Sequence, residues 1–125
     1  MDTNPTEARR RRQQAVSEEK AWLVKQGDDI GELAKGNKEW AGQVRVVWEA
    51  ARTENEPAVL LNLLRYQRAR NKNWVDPKDL FTPLKDAMEE CVTKAKSDTE
   101  TALDLIRHLL VYTIRAYTYH SKVQG

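Results

Sequence analysis

Between Leu103 and Tyr117, apolar side chains recur at helical spacing on more than one face, and this restricts the chain to a helical fold. Leu103, Ile106, Leu110, Ile114 and Tyr117 line one face, and Leu105, Leu109 and Tyr112 widen it. A helix that is apolar nearly all round has to be covered on most sides. It is therefore expected at the centre of a bundle. Ser97 with Glu100 has the form of a capping box at its start. Asp104, Arg107, His108 and Arg115 interrupt the stretch, so it does not read as a membrane span.

The rest of the chain supplies the helices that would cover it. Trp40, Val44, Val47, Trp48 and Ala51 fall on one face of a helix capped by Asn37 and ending near Asn55. Pro57 suits the first position of a third helix. Val59, Leu60, Leu61, Leu63, Leu64 and Tyr66 make that helix apolar on most sides, so it too is expected to be central. Asp76–Pro77 would start a fourth segment, in which Pro83 either kinks the helix or, with Thr82, marks a second start. Leu84, Ala87, Met88, Cys91, Val92 and Ala95 form its stripe.

The N-terminal part looks different. A first helix should follow Pro5, with Thr3 or Asn4 near its cap, and stop at Gly27. Ala15, Val16, Trp22 and Leu23 make only a narrow stripe, which suits a helix that is partly buried or docks late. Three glycines between Gly27 and Gly36 predict a loop. No stretch shows sustained strand-like alternation. The expectation is an all-α, single compact bundle of about five helices, with residues 1–36 as a basic helix and glycine-containing loop and residues 37–125 as the core.

At 125 residues the chain is the size of one domain, and its single cysteine cannot form an internal disulfide. A reducing, cytoplasmic setting is the default, and the arginine-rich start carries no apolar signal segment. A net charge of +2 excludes a histone-like polycation but permits a local basic surface.

Catalytic patterns are missing from the sequence. It has neither a GxxxxGK[ST] loop nor a GxGxxG turn, and neither HExxH nor CxxC. Cys91 lies on an apolar stripe and reads as a small buried thiol. His108 reads as structural or solvated, and His120 suits the end of a helix as a cation. No enzyme activity, metal or cofactor is expected.

Three features suggest binding. Arg65, Arg68 and Lys72 share a helical face, with Arg70, Tyr66 and Trp74 nearby. Guanidinium forks grip phosphate and aromatic rings stack on bases, although cations at a helix C-terminus also offset its dipole. Trp74 suits a core-edge cap better than a stacking platform. Arg9, Arg10, Arg11 and Arg12 form a basic arm that could neutralise phosphates, or a solvated helix start. They oppose the dipole at an N-terminus. Arg107 and Arg115 lie on the last helix, where Arg115, Tyr119 and Lys122 form either its one wet face or a face toward a partner subunit.

The segments Leu60–Arg70 and Leu109–Tyr117, in their helix order and Arg/Tyr placement, resemble the small helical subunits of CRISPR effector complexes, including the form that matches the C-terminal part of a type I-D large subunit. The likeness covers about Lys38 to Tyr119. The resemblance implies a subunit that performs no chemistry and stacks in several copies along a crRNA-guided complex. It implies contact with the other effector subunits and support for the crRNA–target duplex or the displaced single-stranded DNA. Base pairing would then supply sequence choice and the protein would hold the backbone. Arg65, Arg68, Arg70, Arg107 and Arg115 are the positions it would assign to phosphate. The competing expectation is a helical adaptor that binds only protein.

Overall fold

The computed structural model describes residues 5–75 and 78–123. They form α1 (Pro5–Leu33), α2 (Lys38–Thr53), α3 (Pro57–Arg70), a short 3-10 turn (Lys72–Trp74), α4 (Thr82–Lys94) and α5 (Thr99–Val123), with no strand among the described residues. This is the all-α bundle of five helices that the periodicity implied. The expected cap at Thr3 or Asn4 and the start at Asp76–Pro77 lie outside the described residues.

α5 is central, as its pattern demands. It contacts each of the other four helices. Ala102, Leu103, Leu105, Ile106, Leu109, Leu110 and Tyr117 are all buried along it. α3 is not central. Its buried residues are Pro57, Leu60, Leu64 and Gln67, a single stripe, while Val59 and Tyr66 are 45% and 54% exposed. The remaining apolar residues of α3 face outward or sit half-buried, because an apolar composition does not itself provide neighbours to cover every side.

The largest departure from expectation is α1. It does not stop at Gly27 but continues to Leu33. Leu23, Gly27, Ile30, Gly31 and Ala34 are buried, and Gly27 and Gly31 lie against α5. A Cβ at Gly27 would lie 2.8 Å from the Tyr112 Cβ, and one at Gly31 would lie 2.5 Å from the Tyr117 backbone nitrogen. These glycines let two helix backbones touch. Each costs a helix interior about 1 kcal/mol of propensity, which the close packing along the seam offsets. Of the three glycines in the predicted loop, only Gly36, at φ +82°, turns the chain. The order of contacts also gives a direction. Arg12 meets Glu100 and Asp104, Gly27 meets Tyr112, and Gly36 donates its N–H to Ser121 Oγ at 2.9 Å. α1 and α5 therefore run side by side in the same direction.

The helix ends follow local chemistry. Asn37 Oδ1 accepts from Trp40 N at 3.0 Å, as expected for the cap of α2. Asp79 Oδ1 accepts from the backbone N–H groups of Phe81 (3.0 Å) and Thr82 (2.9 Å), organising the start of α4. Pro83 falls in the first turn, where it leaves no hydrogen bond unmade, so Thr82–Pro83 is a start and not a kink. The cap of α5 is Asp98, whose Oδ1 accepts from Thr101 N at 3.3 Å, and not Ser97. Ser97 (φ 72°) follows Lys96 (φ 52°) in left-handed backbone, whereas a capping residue needs an extended one.

Trp74, expected as a cap at the core edge, is fully buried within the core. Its ring lies 6.3 Å from that of Trp40, which in turn lies 5.9 Å from Tyr117. Trp40 Nε1 donates to the Leu80 carbonyl at 3.2 Å, tying the segment between α3 and α4 to the aromatic centre.

Candidate nucleic-acid interface

The buried stripe of α3 decides where its cations point. With Pro57, Leu60, Leu64 and Gln67 turned inward, Arg65, Arg68 and Arg70 are all exposed, and Lys72 is exposed in the turn that follows. Arg65 Nη2 lies 3.6 Å from Glu89 Oε2, a loose pair between exposed groups. The Arg68 guanidinium sits 5.6 Å over the Phe81 ring, and that of Arg70 sits 5.4 Å over Tyr66. Cation–π contact holds a guanidinium in place without neutralising it, so its N–H groups stay available to an anion. Asp79 is the nearby counter-charge. Hydrogen bonds from the Thr82 side chain and backbone hold its carboxyl below the usual carboxylate range, with smaller help from the Phe81 N–H and the Arg68 charge.

Two of the other arginines singled out in the sequence are half-buried and engaged by groups of the fold. Arg12 Nη1 meets Glu100 Oε2 at 2.8 Å and its Nε lies 3.4 Å from Asp104 Oδ2, joining the start of α1 to the start of α5. Arg107 donates from Nε to the Ala51 carbonyl (2.6 Å), from Nη2 to the Glu54 carbonyl (3.1 Å) and from Nη1 to Asp104 Oδ1 (2.9 Å). The carbonyls at a helix C-terminus lack intrahelical partners. Arg107 supplies two of those missing partners to α2, which makes it a cap and not part of an open phosphate surface. Arg9, Arg10 and Arg11 remain exposed while Arg12 turns inward.

Arg115 has company that the sequence reading did not identify. It is exposed on α5 and lines a surface depression of about 230 Å³ with Arg45, Trp48, Glu49, Val111 and Ile114. Trp48, expected on the inner face of α2, is instead half-buried at its margin. The Arg52 guanidinium lies 5.3 Å over the Trp48 ring and pairs with Glu49 at 3.2 Å. The available signal was the spacing of Arg45, Trp48, Glu49 and Arg52 along one outer stripe of α2. Its partner, Arg115, is too distant in sequence to be found by spacing.

The cysteine and the two histidines each have a structural setting. Cys91 is buried, and burial pushes its thiol up to about 12, with the Glu90 charge adding to the effect. A thiol held neutral is a poor nucleophile. His108 Nδ1 lies 2.8 Å from the Asp104 carbonyl. His120 is buried, not solvated, and its Nε2 lies 2.9 Å from Asp28 Oδ1, joining the far ends of α1 and α5. Among the described residues no group of three or more His, Cys, Asp and Glu could hold a metal ion, and no helix is long and apolar enough to cross a membrane.

The structure thus gathers Arg65, Arg68, Arg70 and Lys72 at one end of α3, places Arg115 beside Arg45, and engages Arg12 and Arg107, both partly exposed, in contacts within the fold. No family model matches this chain, and no curated protein or solved structure does either.

Proposed function

We propose that the protein is a non-catalytic small subunit of a crRNA-guided CRISPR interference complex, working in the cytoplasm in several stacked copies. Its basic faces support the guide–target duplex or the displaced DNA strand. The observation that carries this reading is the outward placement of Arg65, Arg68, Arg70 and Lys72, with Tyr66 exposed among them, on a helix anchored by one buried stripe. Such a surface is suited to a nucleic-acid backbone and offers little means of reading sequence.

Titration of the protein with labelled single-stranded RNA, single-stranded DNA and an RNA–DNA duplex at two salt concentrations tests it. Four phosphate contacts on a single strand make affinity fall about 50-fold between 50 and 200 mM salt. Replacing Arg65, Arg68 and Arg70 together with Ala should lower the salt slope by about 2 while leaving the helical circular dichroism intact. Unchanged binding by that variant rejects this surface. A second reading, a helical adaptor that binds only protein, is favoured by the exposure of Val59 and Tyr66 on α3. Absence of any association at low salt would decide for it.

A further inference from the structure

The depression between α2 and α5 has a composition that the α3 surface lacks. Its floor is apolar and aromatic, made by Trp48, Val111 and Ile114, and two arginines, Arg45 and Arg115, stand at its margin. Both arginines are exposed, and neither makes an ion pair or hydrogen bond among the described residues. The carboxylate in the depression, Glu49, is taken up by Arg52 at 3.2 Å, and Arg52 also lies over the Trp48 ring. The local balance is therefore cationic around a half-buried indole. Another flat ring packs on this indole once Arg52, whose side chain is exposed, swings aside from it.

Size separates the occupants. At about 230 Å³ the depression is smaller than the ~300–1,000 Å³ of sites that enclose a drug-sized ligand. One planar ring with an anionic group on either side matches both its volume and its charge. We propose that this depression is a base-stacking site for single-stranded nucleic acid, in which one unpaired base packs against Trp48 while Arg45 and Arg115 hold the flanking phosphates. The inference rests on the reading that the chain binds nucleic acid, and it names a second contact, apart from the α3 end, that requires an unpaired base. Duplex alone, with its bases stacked inside, does not occupy it.

The test uses the full chain, a fluorescein-labelled 20-nucleotide oligouridine and an abasic oligomer of the same length and charge. Trp48→Leu should weaken oligouridine binding about five- to 150-fold, the effect of one lost aromatic–base stack, and leave abasic binding unchanged. Trp48→Phe, which keeps an aromatic face, should restore most of the affinity. Replacing Arg45 and Arg115 together with Ala should weaken both oligomers and reduce the salt slope. Irradiation with an iodouridine oligomer should crosslink Trp48 and leave the fully buried Trp40 and Trp74 unmodified. If the wild type binds oligouridine and Trp48→Leu binds it equally well, with no crosslink at Trp48, the stacking site is refuted. The depression would then be left to a protein partner, and the α3 surface would still stand. If the wild type binds neither oligomer at low salt, this inference falls; if it also fails to bind an RNA–DNA duplex, the proposed function falls with it.

Discussion

The backbone of Gly31 in α1 rests directly against that of Tyr117 in α5: a Cβ at Gly31 would lie 2.5 Å from the Tyr117 nitrogen. The neighbours there are main-chain atoms and the Ala116 Cβ, none of which can swing aside. Gly31→Ala should therefore destabilise the protein. Overpacking at the upper end of its range costs about 3 kcal/mol, against a gain of about 1 kcal/mol in helix propensity, leaving a net loss of about 2 kcal/mol. Gly42 on α2 has nothing within 4 Å of the same position, so Gly42→Ala should stabilise by about 0.5–1 kcal/mol. Urea denaturation of both variants reads the opposite shifts, and a midpoint unchanged by Gly31→Ala would contradict the close seam.

Arg107 should matter for folding and not for binding. Arg107→Ala leaves the Ala51 and Glu54 carbonyls without their present donors and removes the pair with Asp104. A loss of about 1–3 kcal/mol in denaturation is expected. Affinity for single-stranded nucleic acid, measured where the variant is fully folded, should stay within experimental error of the wild type. A clear drop there would return Arg107 to the phosphate surface.

Leucines that look alike in sequence should differ sharply. Leu64 and Leu110 are fully buried, and truncation of either to Ala should cost about 2–5 kcal/mol. Leu63, beside Leu64 on α3, is only half-buried, so Leu63→Ala should fall well below that range. Equal losses at Leu63 and Leu64 would mean that α3 is covered on more sides than its single stripe.

Asp79 sets a dependence on acid. Hydrogen bonds from Thr82, mainly, hold its folded carboxyl below its ordinary value of 3.8. A depressed carboxylate contributes stability above that ordinary value and loses it as pH falls through the folded one. Asp79→Ala should therefore lower the melting temperature at pH 6, and the gap to the wild type should close as the pH drops below 3.8. A gap that persists undiminished at pH 2 would show that charge at Asp79 is not what holds the start of α4.

The parts of the fold that were legible are those where the pattern itself names the partner face. α5 and α2 were readable because their apolar residues recur over several turns, and the Asn37 cap because its geometry is local. The glycines of α1 were misread because a turn and a helix seam place the same residue in the same sequence, and only α5, some 85 residues away, distinguishes them. The candidate site divides in the same way. The cations of α3 could be found because they succeed one another on one helix. Arg107 could not be sorted from them, since its acceptors Ala51 and Glu54 lie 56 and 53 residues earlier. Arg45 does share an outer stripe of α2 with Trp48, Glu49 and Arg52, but a mixed-charge stripe reads as an ordinary solvated face, and the place of Trp48 in the apolar stripe suits the core equally well.

The two glycine notches also fix how α1 can travel. Sliding it by one turn, about 5.4 Å, toward its own C-terminus would carry Leu23 to the place where Gly27 now meets Tyr112. A four-carbon side chain cannot enter a gap cut for a hydrogen atom. The first helix is keyed to the last like a shaft in its slot and cannot creep along it. Arg9, Arg10 and Arg11 are thereby carried at one set distance from Arg115, and whatever spans both must match that length.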